Sequence, residues 1–185
     1  MRAFIAFPLS DEAKQELVKT QAEINGQNLS AKIRWVEDKN MHVTVEFLGD
    51  VKEEQVEHIK NILNNICIQH KPFEYKLKKV NAFPNLEHPN VLVVDIGDDE
   101  RNSSVNLYVE LHNELAKIGL NLNNRKWYPH ATLGRIKPDF SGKISLDNIS
   151  VQETKWIVDE VLFIKSDLTP AGPVYEVIET FKLNS

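Results

Sequence analysis

Residues 41–47 read Met-His-Val-Thr-Val-Glu-Phe, and residues 129–135 read Pro-His-Ala-Thr-Leu-Gly-Arg. Side chains alternate between the two faces of a β-strand, so the histidine and threonine of each segment share one face, and the apolar residues beside them share the other. The apolar face suits a hydrophobic core, which leaves the polar face toward water or a cleft. The segments therefore predict two strands that present the same pair of side chains, His42 with Thr44 and His130 with Thr132.

The spacing of the two segments indicates an internal repeat. Their histidines are 88 residues apart (130 − 42), close to half of the 185-residue chain. An echo at half the chain length is typical of two similar lobes that meet about a pseudo-two-fold axis. Equivalent residues approach each other at such an axis, so we expect both pairs to face one cleft.

The remaining sequence alternates between helical and strand patterns. Helices are predicted at residues 9–26, 50–66 and 101–118, with Ser10 and Gly26 capping the first, Asp50 and Glu53 starting the second, and Gly119 stopping the third. Strands are predicted at residues 1–8, 32–36, 41–48, 73–83, 91–96, 130–136, 156–158, 161–166 and 174–181. This pattern, which has no Gly-rich phosphate loop, predicts an α+β fold in which helices cover one side of the sheets.

Composition and charge bound the class of protein. Lys and Arg number 22 and Asp and Glu 27, a net charge of −5, which argues against broad, sequence-independent nucleic-acid binding but allows a grip on one end or one phosphate. Cys67 is the only cysteine, so an internal disulfide is excluded. There is no apolar run of about 20 residues and no signal-peptide core at the N-terminus. We therefore expect a cytoplasmic, monomeric protein that does not contact membranes.

Two histidines and two threonine hydroxyls around one point suit the cleavage of a phosphodiester. An unperturbed histidine has a pKa of about 6.5, so near neutral pH one imidazole can accept a proton while its partner donates one. The threonine hydroxyls can hold non-bridging phosphate oxygens and stabilise the transition state. This chemistry requires no metal and no cofactor.

Two other interpretations of the histidines compete with this one. A single His-x-Thr on a strand is usually structural, but two copies at half-chain spacing favour function. A metal site lacks the usual ligand patterns, because the chain has no His-Glu-x-x-His and no cysteine pair. Cys67 and His70 have a ligand-like spacing, yet they close an amphipathic helix, where a buried cysteine and a helix-end histidine are the expected arrangement.

The sequence around both motifs resembles a known family. The resemblance is carried by residues 34–36 and 40–49, which contain the first motif and its approach, and by residues 129–135, which contain the second. Residues 2–6 are similar to the opening strand of the family, and residues 166–168 and 172–175 to its closing hairpin. The chain thus resembles the two-histidine phosphoesterase superfamily and, within it, the LigT-like RNA 2′,3′-cyclic phosphodiesterases.

The resemblance implies both a fold and a reaction. The implied fold is a bilobal α+β domain over residues 1–185, with two intertwined lobes, two antiparallel-rich sheets, helices packed outside and pseudo-two-fold symmetry. The implied reaction hydrolyses a terminal 2′,3′-cyclic phosphate of RNA to a 2′-phosphate, with possible reversible 2′–5′ RNA ligation. His42 would protonate the departing 3′ oxygen and His130 would activate water, while Thr44 and Thr132 would hold the phosphate.

Two further residues enter through the resemblance, Arg135 as a phosphate ligand and Phe47 as a base-stacking side chain. Strict alternation puts both on the face opposite the histidines, so we expect a β-bulge at Gly134 to redirect Arg135 and the strand to end near Phe47. The alternatives are core packing for Phe47 and a surface ion pair for Arg135. Arg34 is an exposed charge or a weak attractor of RNA phosphate.

Several alternatives remain open at this level. The substrate could be a small cyclic nucleotide or an ADP-ribose cyclic phosphate instead of an RNA 3′ end. The chain could also be a non-catalytic protein that binds RNA ends. Which histidine is the acid and which the base depends on the hydrogen bonds of their second ring nitrogens.

Overall fold

The computed structural model describes residues 1–140, 142–170 and 172–184. Nine strands and three α-helices lie within these residues, and their bounds follow in chain order. They are β1 (Arg2–Phe7), α1 (Asp11–Gln27), β2 (Ile33–Trp35), a 3-10 turn (Asp38–Asn40), β3 (Val43–Asp50), α2 (Glu53–Cys67), β4 (Phe73–Phe83), β5 (Val91–Gly97), α3 (Ser103–Lys117), β6 (His130–Ile136), β7 (Lys155–Val158), β8 (Glu160–Thr169) and β9 (Gly172–Lys182). The predicted α+β class is confirmed.

The strands form one curled antiparallel sheet in the order β7-β4-β5-β6-β3-β1-β8-β9, and β2 pairs with β6 beyond the end of β3. The sequence predicts two sheets, and the structure joins two four-stranded halves through a single residue pair, Val43 with Ala131. The order is symmetric about this pair, because β3 corresponds to β6, β1 to β5, β8 to β4 and β9 to β7. The two strands with the motifs therefore lie side by side at the centre.

The helices reinforce the symmetry of the sheet. Helix α1 connects β1 to the β2–β3 region, and α3 connects β5 to β6, so each half contains the same strand-helix-strand unit. Each helix also contacts the motif strand of the other half, α1 against β6 and α3 against β3. The main hydrophobic core fills the space between the sheet and the helices, and it includes Val43, Ala131, Leu17 and Leu111. No helix in the described part of the chain is long and apolar enough to cross a membrane.

Capping explains where the first helix begins and ends. The hydroxyl of Ser10 accepts a hydrogen bond from the backbone N–H of Ala13 at 3.1 Å, which confirms the predicted N-cap. The predicted stop at Gly26 is wrong, because the helix continues to Gln27. Asn28 ends it instead, since its side-chain amide donates to the carbonyl of Ile24 at 2.7 Å.

The predicted start of the second helix is also wrong. Asp50 is the last residue of β3 and pairs with Arg2, and the next residue, Val51, donates a backbone hydrogen bond to Met1 at 2.7 Å. This strand pairing keeps the chain extended, so α2 begins only at Glu53. The side chain of Gln55 closes the first turn by accepting from the backbone N–H of Lys52 at 3.0 Å.

Candidate active site

The pairing of β3 with β6 brings the two motifs together. Val43 lies opposite Ala131, and both side chains are fully buried on the core face. In an antiparallel register this pairing puts His42 opposite Thr132 and Thr44 opposite His130. The four polar side chains therefore lie on one face, as the sequence predicts, with each histidine across from the threonine of the other motif.

Both histidines have the same hydrogen-bond partner on one ring nitrogen. His42 Nδ1 lies 2.8 Å from the carbonyl oxygen of Asn40, and His130 Nδ1 lies 2.7 Å from that of Tyr128, in each case two residues earlier. A carbonyl can only accept, so Nδ1 carries the proton and Nε2 has the free lone pair when the ring is neutral. His42 Nε2 lies 3.0 Å from the hydroxyl of Thr44. Both rings thus offer Nε2 for proton transfer. Because the hydrogen bond from Nδ1 to a carbonyl is the same in both histidines, it does not identify which is the acid and which is the base.

Aromatic rings shield the two imidazoles from water. Phe4 stacks on His42 with a centroid distance of 4.8 Å, and Tyr175 meets the same ring edge-on at 5.5 Å. Phe83 meets His130 edge-on at 5.0 Å. The sequence does not predict these three aromatic residues as part of the site, because no sequence spacing connects strands β1, β4 and β9 with the motifs.

This shielding changes the proton affinity of both histidines. Burial lowers the pKa of His42 to about 4, although the Asn40 carbonyl opposes the shift and the nearby His130 adds to it. Burial also lowers the pKa of His130, while the Tyr128 carbonyl and Asp95 oppose the shift. Asp95 lies opposite His130 on β5, and both its oxygens accept from the amide of Asn81 at 3.2 and 3.1 Å. In the free protein, burial therefore favours neutral imidazoles.

A β-bulge in each motif strand redirects the residue five positions after the histidine. In β3 the partners of Ile5 and Ala6 are Glu46 and Thr44, so Val45 is an extra residue. In β6 the partners of Leu92 and Val93 are Gly134 and Thr132, so Leu133 is the extra residue. Both extra residues lie three positions after their histidine, and each reverses the alternation of the residues that follow.

The consequence is that Phe47 and Arg135 share the face of the histidines. Phe47 lies opposite Phe4, which stacks on His42, and Arg135 lies opposite Val91, on the same face of β5 as Asp95. The predicted bulge in β6 is confirmed, at Leu133 next to Gly134. The expectation that β3 ends near Phe47 is wrong, because β3 continues to Asp50, and the bulge at Val45 turns Phe47 to the face of the histidines.

The surroundings of these two residues decide between their alternatives. Phe47 is 63% exposed, so core packing does not explain it. Arg135 is exposed and, within the described residues, has no carboxylate within 4.0 Å, so a surface ion pair does not explain it either. Its charge adds to the lowering of the pKa of His130 and opposes the rise that burial causes in the pKa of Tyr175, so the guanidinium lies near both rings.

Other aromatic, histidine and cysteine side chains near the motif strands or in the helices make structural contacts. The indole N–H of Trp127 donates a hydrogen bond to the carbonyl of Thr44 at 2.9 Å and so helps to hold β3 in place. His112 contacts the buried Glu46 at 2.6 Å and attaches α3 to β3. Cys67 is buried, and burial raises the pKa of its thiol to about 12. Among the residues described, no three His, Cys, Asp or Glu side chains cluster so that they could hold a metal ion.

Two His-x-Thr pairs that meet at the axis of a pseudo-symmetric antiparallel sheet define the class of two-histidine phosphoesterases. Comparison with known proteins gives the family. The model of the LigT like phosphoesterase family matches residues 7–93. A Methanocaldococcus jannaschii protein named RNA 2′,3′-cyclic phosphodiesterase is 33% identical over 97% of this chain and 99% of its own length, and a Thermotoga maritima protein of the same name is 31% identical over 96% and 93%. The chain belongs to the LigT-like phosphoesterase family.

Solved structures agree on the fold. The crystal structure of TT0787 of Thermus thermophilus covers 100% of this chain and 98% of its own with a TM-score of 0.85 at 24% identity. The apo form of Escherichia coli LigT covers the same shares with a TM-score of 0.75 at 21% identity. The predicted bilobal fold with pseudo-two-fold symmetry is therefore confirmed.

Proposed function

We propose that the protein is an RNA 2′,3′-cyclic phosphodiesterase, which opens a terminal 2′,3′-cyclic phosphate to a 2′-phosphate without a metal or cofactor. The observation that carries this proposal is the meeting of His42, Thr44, His130 and Thr132 on one face, on either side of the Val43–Ala131 pair. The relatives that match nearly the whole chain bear this name, which supports the choice of substrate.

The proposed reaction assigns one role to each side chain of the two motifs. The phosphorus lies between the imidazoles, and the hydroxyls of Thr44 and Thr132 donate to its non-bridging oxygens. His130 Nε2 removes a proton from water, and the water oxygen forms a bond to phosphorus. The bond from phosphorus to the 3′ oxygen breaks, and His42 Nε2 gives its proton to that oxygen. His130 ends protonated and His42 neutral; His130 then gives its proton to solvent, and His42 acquires a new proton when the next substrate binds.

The low pKa of His42 requires that the donor acquires its proton together with the substrate. Burial keeps this imidazole neutral in the free protein. A phosphodiester carries a negative charge, and an opposite charge close to a histidine favours the protonated ring. The substrate therefore prepares the acid that cleaves it. Arg135 and Phe47 lie on the same face and would bind a phosphate of the substrate and a nucleobase, respectively.

Asp95 favours the reverse assignment of acid and base, which can be tested. Its negative charge raises the pKa of His130 against the effect of burial, whereas His130 lowers the pKa of His42. Sulfur in place of the 3′ bridging oxygen gives a leaving group that needs no proton. The alanine variant that lacks the acid should recover most of its rate with this substrate, and the variant that lacks the base should not.

The central experiment uses an oligonucleotide with a 2′,3′-cyclic phosphate end. His42→Ala and His130→Ala should each lower kcat by about 10²–10⁴-fold while the melting temperature stays close to that of the parent protein. His58→Ala is the matched control, since His58 is exposed on α2. The product should carry a 2′-phosphate, and chelator should leave the rate unchanged. Turnover near normal in either motif variant contradicts the mechanism.

Two alternatives to this function, a different substrate and a non-catalytic role, can be tested. A small cyclic nucleotide or an ADP-ribose cyclic phosphate would give equal or better kcat/KM than the oligonucleotide. A non-catalytic RNA-end binder would bind the cyclic end and release it unchanged. Incubation with a second RNA that carries a 5′-hydroxyl tests reversible 2′–5′ ligation, in which this hydroxyl takes the place of water.

The proposal includes a monomer that works in the cytoplasm. The single cysteine is consistent with a reducing compartment, because it forms no internal disulfide. Sedimentation should give the mass of one chain, 21.2 kDa, at the concentrations used for kinetics. Fractionation of the source cells should recover the protein with cytoplasmic markers.

A further inference from the structure

Two arginines lie side by side on the face of the cleft. Strand β2 pairs with β6, and in this register Arg34 lies directly opposite Arg135. Directly opposed residues share a face of the sheet, and their Cβ atoms are about 4.5–5.5 Å apart. The bulge at Leu133 has already turned Arg135 to the side of the histidines, so Arg34 faces that side as well.

The backbone under the two arginines is firmly held. The side-chain amide of Gln21 donates to the carbonyls of Val36 and Leu133, both at 2.8 Å, and the N–H of Val36 donates to the carbonyl of Leu133 at 2.9 Å. At Gly134 a Cβ atom would lie 2.8 Å from Ile33 Cγ2 and 2.9 Å from Trp35 Cε3. A Cβ atom here would force these side chains to move, so the close approach of β2, and with it the pairing of the arginines, depends on glycine at this position.

The two charges are not neutralised by the protein. Like charges directly opposite on neighbouring strands destabilise a sheet. In residues 1–140, 142–170 and 172–184, the salt bridges within 4.0 Å include Arg101 with Asp99 but neither Arg34 nor Arg135. Both guanidiniums are exposed and so can turn toward a ligand. An anion between them would relieve the repulsion and could accept bidentate hydrogen bonds from either side.

The position of the pair identifies which anion fits. Under the proposed function the cyclic phosphate lies among the two histidines and two threonines, one row of the sheet away from the arginines. Arg135 follows Thr132 by three residues, about 7–10 Å of strand, shortened by the bulge. The arginine side chains cover part of this distance. An anion between them would therefore lie apart from the cyclic phosphate, at a distance that fits the neighbouring phosphate one nucleotide away.

We propose that Arg34 and Arg135 together bind the phosphodiester on the 5′ side of the terminal nucleotide, so that the substrate is an RNA end with at least one internal phosphate. This inference rests on the proposed function and extends it, because a mononucleoside cyclic phosphate with a free 5′-hydroxyl lacks the group that the two arginines hold.

Binding of reaction products tests the pair independently of turnover. The ligands are a dinucleotide that ends in a 2′-phosphate and the corresponding mononucleoside 2′-phosphate, each titrated into the whole protein by calorimetry. Hydrogen bonds to charged groups contribute enough for a loss of about tenfold or more in affinity. Arg34→Gln should therefore lower the preference for the dinucleotide over the mononucleoside by about tenfold. Arg34→Lys keeps the charge without the planar guanidinium, so its preference for the dinucleotide should lie between those of the parent protein and of Arg34→Gln.

The control is Arg101→Gln, because Arg101 is exposed and pairs with Asp99 at 2.9 Å, away from the cleft. It should leave the preference unchanged. The proposal is overturned if Arg34→Gln weakens both ligands equally, if it changes neither, or if the parent protein does not prefer the dinucleotide. Failure of the proposed function would give a different result: the cyclic substrates would remain unhydrolysed, whereas the preference for the dinucleotide 2′-phosphate over the mononucleoside 2′-phosphate would still depend on Arg34.

Discussion

Binding of a phosphate ester in the cleft should raise the pKa of His42 from about 4 to about 7. A rise of this size corresponds to about 4 kcal/mol of interaction that favours the protonated ring. One negative charge about 4 Å from Nε2 supplies about 4 kcal/mol at an effective dielectric constant of about 20. A single phosphate charge at contact distance is therefore sufficient to convert a neutral imidazole into a proton donor at neutral pH.

The measurement is a pH titration of histidine ring signals by nuclear magnetic resonance, with and without a saturating nucleoside 2′-phosphate. His42→Gln identifies the signal of His42 by its loss, and the exposed His58 gives a reference signal that the ligand should not move. Since kcat reports groups in the complex, its alkaline limb should also lie near pH 7 and not near pH 4. Titration of His42 near 6.5 in the free protein, or near 4 in the saturated complex, would refute the reasoning.

Three further predictions follow from the same geometry. The buried, neutral His42 should make the protein acid-sensitive, because its pKa is about 4 in the folded protein and about 6.5 in the unfolded chain, so that only the unfolded chain takes up the proton between these values. The free energy of unfolding should therefore be highest above pH 6.5 and fall by up to about 3 kcal/mol as the pH drops toward 4. His42→Gln should flatten this dependence in urea titrations at pH 7 and pH 4.5. Gly134→Ala should lower the free energy of unfolding by about 1–3 kcal/mol, because its Cβ would overlap Ile33 and Trp35; an unchanged melting temperature would contradict the tight approach of β2. Phe47→Ala should raise KM for the oligonucleotide by about tenfold with little change in melting temperature, since the ring is 63% exposed and base stacking is worth about 1–3 kcal/mol, whereas Phe47→Tyr should keep KM close to normal; a large loss of stability would return Phe47 to the core.

The central pair of motifs could be predicted because period-two alternation and half-chain spacing are properties of the sequence itself. His42 and Thr44 point away from Val43 for reasons local to one strand, and the same holds for the second motif. The repeat then gives a reason for both strands to meet. What the sequence could not supply was the register that puts each histidine opposite the threonine of the other half, since that depends on pairing across 88 residues (130 − 42).

The residues that shield and tune the histidines were missed for a related reason. Phe4, Phe83 and Tyr175 come from three different strands, and each looks like an ordinary strand residue in its own segment. Asp95 likewise reads as one polar residue in an apolar strand, and only its place opposite His130 gives it an electrostatic effect. The start of the second helix was misplaced for a different reason, because strand pairing at Val51 outweighed the local capping preference of Asp50.

The extra residues Val45 and Leu133 make each motif strand tolerant of changes in length as well as in identity at these two positions. Many apolar side chains could replace either one and still fill the core. Deletion of either residue would remove the bulge, keep the present strand partners of Phe47 or Arg135, and leave that side chain on the face of the histidines. Among natural or engineered relatives, a residue four positions after the histidine in a strand without the bulge should therefore occupy the same place as Phe47 or Arg135, which lie five positions after it.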